Sequence, residues 1–166
     1  EDAEVILHEY GHAIHFAQNF SFASEEAGAI GEGFGDYWAV TVSNVIARSL
    51  GVANKEPLPC VADWDSTSYT SKVPHCLRRV DTNLHYPADL SGEVHHDGQI
   101  WSRALWDIRT ALGHVKADTV ILNGQFDYPG TTMTALAKST VAAAQSIYGK
   151  QAAAAVTKAF ADRGIV

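Results

Sequence analysis

Apolar residues recur at helical spacing along most of this chain, and the breaks in that pattern mark its joints. Near the start, Val5, Ile6, Ala13 and Phe16 fall on a helical period behind Glu1, Asp2 and Glu4, where negative charge complements a helix dipole. A first helix to about residue 19 is predicted. Ser24 followed by Glu25 and Glu26 reads as an N-cap with an acidic first turn, opening a second helix through Tyr37, Trp38, Val42 and Ile46 to about Leu50, with Gly51 as its stop. Residues 52 to about 96 lose the period and hold four of the five prolines, which predicts a long connection with a short helix around 67–78. Asp97 reads as the cap of a third helix carrying Ile100, Trp101, Ala104, Leu105, Ile108 and Leu112 on one stripe, with Gly113 just past its end. A short helix over Asp118 to Phe126, a turn at Tyr128-Pro129-Gly130, and a helix capped by Thr131 or Thr132 and stopped by Gly149 follow. A last helix covers 150–163 and ends at Gly164. No segment after residue 20 is predicted as a strand, and there are no repeats. The fold class is mainly α, a helical bundle forming a single domain over residues 1–166.

Composition agrees and removes whole classes of function. With 166 residues and 46% hydrophobic content the chain can bury a real core. A net charge of −7 and a pI near 5.5 argue against a nucleic-acid surface, which needs clustered Lys and Arg. No apolar run reaches the roughly 18 residues of a membrane span, so no membrane partner is expected. The chain shows no signal peptide and does not begin with Met, which reads as a mature or excised piece. Cys60 and Cys76 lie in the irregular stretch, where they can be a disulfide stapling a long loop or two unpaired buried thiols.

The candidate chemistry begins inside the first helix. His8-Glu9-Tyr10-Gly11-His12 has the pattern H-E-x-x-H, and residues four apart share a helical face, so His8 and His12 can address one ion. Glu9 is then placed to deprotonate a metal-activated water. Twenty residues after His12, Glu32 and Asp36 again share a face. A catalytic zinc wants three protein ligands and an open position, so His8, His12 and Glu32 complete a set for one Zn2+ per chain. Asp36 can take the other ring proton of a ligand histidine, or be a solvated helix residue. Gly28, Gly31 and Gly35 each cost about 1 kcal/mol of helix stability relative to alanine, which close approach to the metal-bearing helix would offset.

HEYGH followed by GAIGEGFGD resembles the thermolysin-like zinc peptidases, most of all their fungalysin branch. The metzincin continuation would need Gly at 15 and His at 18, where the chain has His15 and Gln18. The resemblance implies the C-terminal helical catalytic lobe of a secreted endopeptidase, acting on peptide or protein substrates. It also implies a β-rich N-terminal lobe that this chain lacks, as a partner supplied by the parent protein. Because the resembled enzymes are secreted, it favours the disulfide, worth about 3 kcal/mol in the chain-entropy model.

The same resemblance implies His95, after Val94 and ahead of the third helix, as the donor that stabilises the tetrahedral intermediate, with His96 its nearby rival. Alone, a histidine before a helix is more often a capping or surface residue than a catalyst. Asp89 is the candidate for orienting His95. Arg79, with Arg78 close behind, is expected to hold the substrate carbonyl, and Tyr86 to stand in for an oxyanion tyrosine whose position is Ala23 here. His15 could be a ligand by spacing alone, but with Glu32 available it reads as a neighbour. Ser43 stands where the family's calcium cluster has a glutamate, so no calcium is expected. The alternative to an enzyme is a non-catalytic, zinc-stabilised lobe acting as a scaffold or interaction module.

Overall fold

One long helix organises the fold. In the computed structural model, which describes residues 2–18, 21–52, 58–126 and 132–166, helix α2 (Glu25–Leu50) packs against α1 (Ala3–Ala17) and against α3 (Val94–Leu112). Helices α4 (His114–Gln125), α5 (Met133–Tyr148) and α6 (Lys150–Ala161) close the bundle beside α3. Ile30, Phe34 and Tyr37 of α2 meet Ile100, Trp101, Leu105 and Ile108 of α3 in a core that reaches Leu136 and Phe160. Burying each such side chain stabilises the fold by about 1.5–3 kcal/mol. Trp101 stacks on Phe160 at 5.1 Å between ring centroids, as core.

Glycines set how closely the helices approach. A Cβ on Gly11 of α1 would lie 3.0 Å from the Gly35 Cα of α2, and Gly33 of α2 sits against the Gly98 carbonyl of α3. Of the three glycines expected to face the metal-bearing helix, Gly35 does so. Gly28 instead meets Val94, and Gly31 meets the Phe22 ring.

The helix termini follow local chemistry, with differences from the sequence reading. Ser24 accepts from the Ala27 N–H, Gly51 closes α2 at φ 67°, and Thr132 accepts from the Ala135 N–H to start α5. Each such N-cap contributes about 1 kcal/mol. Helix α3 starts earlier than expected, because Glu93, not Asp97, is its cap: the Glu93 carboxylate accepts from the His95 and His96 N–H groups. Helix α4 begins at His114 rather than Asp118, directly after Gly113. The Tyr128-Pro129-Gly130 turn lies outside the described residues.

The long connection is tied down by its ends and its middle. Cys60 and Cys76 form a disulfide, and strand β1 (Cys60–Val61) pairs antiparallel with β2 (Arg78–Arg79), Cys60 opposite Arg79 and Val61 opposite Arg78. The helix expected around 67–78 is replaced by one 3-10 turn, Asp65–Ser68. Pro74 disfavours helical geometry in the residue before it, and Arg78 is committed to strand pairing. Val61 and Ala62 pack with Val40, Val80 and Trp106 into a second, smaller core. Asp2 accepts from the Trp64 and Asp65 N–H groups and Glu4 from that of Ala62, tying this segment to the start of α1. Arg103 of α3 donates to the Asp81 and Thr82 carbonyls.

Candidate metal centre

Helices α1 and α2 bring His8, His12 and Glu32 together, with one donor atom from each lying within 4.8 Å of the others. His8 Nε2 is 3.2 Å from His12 Nε2 and 3.2 Å from Glu32 Oε2, and His12 Nε2 is 3.5 Å from Glu32 Oε1. Two imidazoles and one carboxylate are a donor set that zinc takes, and the shortest separations, to one or the other Glu32 oxygen, are near the ~3.3–3.4 Å between donors about 2.0–2.1 Å from a tetrahedral ion. Glu32 Oε2 is also buried without a hydrogen-bond partner, although His8 and His95 nitrogens lie within 3.3 Å of it. A carboxylate oxygen in that state is costly unless something else satisfies it.

Behind the donors stands a buried chain of charge. His8 Nδ1 lies 2.9 Å from Asp36 Oδ1, and Arg78 donates to both Asp36 oxygens at 2.7 Å in a bidentate pair. Burial of Asp36 favours the neutral acid, but the Arg78 guanidinium and His8 outweigh it and hold the carboxyl below its usual range. Burial likewise opposes a charge on His8, yet hydrogen bonds to Asp36 and Glu32 carry its pKa up to about 9. Glu32, despite burial, is pulled well below the ordinary glutamate value by its histidine neighbours. Gly35 makes room for this: a Cβ there would lie 2.8 Å from His8 Nδ1.

Glu9 is exposed on α1 and lines a cavity of about 170 Å³ that also touches His8, Arg78 and His95. His95 Nε2 lies 3.3 Å from Glu32 Oε2, on the same side as the donor set. Its Nδ1 lies 2.7 Å from Glu93 Oε1. His96 turns instead toward Asp97, at 3.0 Å.

The remaining candidates fall elsewhere. Asp89 accepts from the His85 N–H, and Glu93 occupies the place beside His95 that Asp89 was expected to fill. Arg79 pairs with Asp81, while its neighbour Arg78 reaches the centre. The Tyr86 N–H donates to the Arg163 carbonyl, and its phenol pairs with Glu26 rather than with the donor set. His15 is buried, stacked on Phe34 at 4.3 Å between centroids, and burial pushes its pKa down to about 3. Ser43 donates to Glu4 Oε1 at 2.6 Å. Glu93 and Arg78 are thus the two residues that the sequence reading missed or ranked second.

A helical lobe that presents H-E-x-x-H on one helix and a facing glutamate on the next is the scaffold of a thermolysin-like metallopeptidase. The chain belongs to the fungalysin metallopeptidase (M36) family, whose model matches residues 1–120. It is also 26% identical over 117 residues to extracellular metalloproteinase 2 of Trichophyton tonsurans and to the protein of that name from Arthroderma benhamiae. Each match covers 64% of this chain and 18% of the relative, so the chain corresponds to under a fifth of the length of these relatives. Among the described residues no helix is long and apolar enough to cross a membrane.

Proposed function

We propose that this chain is the zinc-binding helical lobe of a secreted endopeptidase, with His8, His12 and Glu32 as the ligands. The observation that carries the reading is the convergence of those three side chains, one donor atom from each within 4.8 Å of the others, beside an exposed Glu9. Bound zinc would polarise the substrate carbonyl and make water acidic enough to attack near neutral pH. Glu9 takes the proton released by the attacking water and delivers it to the departing amine. His95, with its Nδ1 turned to Glu93, offers Nε2–H to the negative charge growing on the former carbonyl oxygen. Asp36 holds the His8 ring so that Nε2 turns toward His12 and Glu32, where it would ligate zinc, and Arg78 fixes Asp36.

Secretion is supported by the names of the relatives and by the disulfide. Peptide cleavage belongs to the parent protein rather than to this lobe alone. Ile6, Tyr10 and Phe16 stand 58%, 60% and 82% exposed along α1, an apolar row suited to a covering lobe. The test is Glu9→Gln in the full-length protein. Zinc should stay at one per chain while cleavage falls at least about 100-fold. Cleavage at the parent's rate would remove Glu9 from the mechanism, and zinc without turnover in the parent itself would favour the scaffold reading.

A further inference from the structure

A cavity of about 330 Å³ opens between α3 and α6, lined by three cations against two carboxylates in a chain whose net charge is −7. Two of the cations are matched. Arg103 holds Asp107 at 2.9 and 3.0 Å, and Lys158 holds Asp162 at 2.8 and 2.7 Å. The third is Arg163, just past the end of α6. It is 8% exposed, and its Nη1 donates to the Asn83 side-chain oxygen at 3.1 Å. Its Nε is buried without a hydrogen-bond partner, its Nη2 donates to no described residue, and among the described residues no carboxylate is ion-paired with it. Asp162, its chain neighbour, feels its charge but is bonded to Lys158. A guanidinium taken out of water is costly unless an anion and hydrogen bonds replace its hydration, and one neutral acceptor for five N–H groups leaves most of that unmade. A bracing role does not call for this side chain. The Arg163 carbonyl accepts from the Tyr86 N–H and the Arg163 N–H donates to the Phe160 carbonyl, and any residue could make those two backbone bonds.

We propose that this cavity binds the anion of a small aliphatic carboxylic acid, with Arg163 as the residue that holds the carboxylate. A guanidinium presents a fork of N–H groups that matches the two oxygens of a carboxylate. Ala111 of α3 and Ala155 and Ala159 of α6 line the same cavity, and their methyl groups give a short alkyl chain apolar surface to cover. The balance of charge limits the ligand to a monoanion. A phosphate dianion would carry one charge more than Arg163 neutralises, and it would stand among the Asp107 and Asp162 carboxylates. The cavity shares no residue with the three-donor metal centre, so binding here is a property separate from zinc.

Ligand-observed NMR titrations of the full-length, zinc-loaded protein test this, with butyrate as the probe, the neutral isostere butyramide as its control and ionic strength held constant. Butyrate should bind with a Kd on the order of 1 mM, which a ligand of so few atoms can supply. Butyramide should bind at least about tenfold more weakly, because it offers no charge-assisted hydrogen bond. Arg163→Gln, which keeps both backbone bonds, should weaken butyrate by at least about tenfold as well. Ala155→Trp, at a half-buried position on α6, fills the cavity and leaves Arg163 in place. It should abolish butyrate binding too, and it decides the question should Arg163→Gln fail to fold. Butyrate affinity and stoichiometry unchanged by either folded variant would put the ligand elsewhere, the zinc included, and overturn the assignment. Equal binding of butyrate and butyramide, no saturable butyrate binding at all, or tighter binding of inorganic phosphate than of butyrate would overturn it as well.

Discussion

Replacing Asp36 by asparagine separates the metal-positioning role proposed for the buried carboxylate from a purely structural one. Asp36 is 1% exposed and makes three charge-assisted contacts, one to His8 Nδ1 and two to Arg78. An asparagine has one acceptor oxygen and one donor nitrogen; its oxygen at the Oδ1 position can serve His8 and one arm of Arg78, weakly because it is uncharged, but not all three contacts. The second Arg78 N–H then faces another N–H. Breaking one side of a buried pair costs about 3 kcal/mol at the low end of measured cases, which for a chain of this size lowers Tm by about 6–12 °C. Loss of the carboxylate that fixes a ligand histidine weakens metal binding about 10–100-fold. Urea unfolding of the zinc-free protein reads the first number, and competition with a chromophoric chelator reads the second. A stability loss with zinc affinity unchanged within threefold would show that Asp36 only braces Arg78, and would remove it from the metal centre.

If His8 is a ligand as proposed, Gly35→Ala should also weaken zinc binding, by about tenfold, because the new methyl group would lie 2.8 Å from the His8 ring and push it aside. Gly51→Ala, in open space at the end of α2, should lose stability and leave zinc affinity unchanged in the same chelator assay. Glu93→Gln should retain zinc and KM within about twofold but lower kcat about tenfold, since the carboxylate against His95 Nδ1 is gone. An unchanged kcat would make Glu93 a cap only. His15, neutral in the native state down to about pH 3, should erode stability in acid. Below about pH 6.5 the unfolded chain gains a proton that the native one refuses, costing about 1.4 kcal/mol per pH unit until pH nears the native value. Urea titrations from pH 7 to 4 should therefore show a shallower decline in His15→Phe, and parallel curves would contradict the burial argument.

The parts legible in the sequence were those set by local spacing. The i, i+4 pairs His8/His12 and Glu32/Asp36, the Ser24 cap and the Gly51 stop need only a helical period and elementary capping chemistry. Arg78 and Arg79 show where that legibility ended. Adjacent residues in a strand point to opposite faces, so which arginine reaches Asp36 depends on the register of β2 against β1. That register is pinned by a disulfide and by contacts to α1, α2 and α3, none of which is encoded in the arginine pair. Asp97 had the look of a cap but bonds backward to Ser91 and Gly92, a contact made by the returning loop. Glu93 took the cap because it could serve two N–H groups and an imidazole at once, a combination that propensity does not rank.

The connection between α2 and α3 is sutured at Cys60–Cys76, at Asp2 and Glu4, and at Arg103. Its outer bend, from Thr67 to Val73, is mostly exposed and bears none of those stitches. Changes of length or sequence there can reshape the exposed rim while Arg78 keeps its bidentate hold on Asp36. Variation in the outer bend and constancy at the metal-facing residues can therefore be inherited separately, within one stretch of polypeptide.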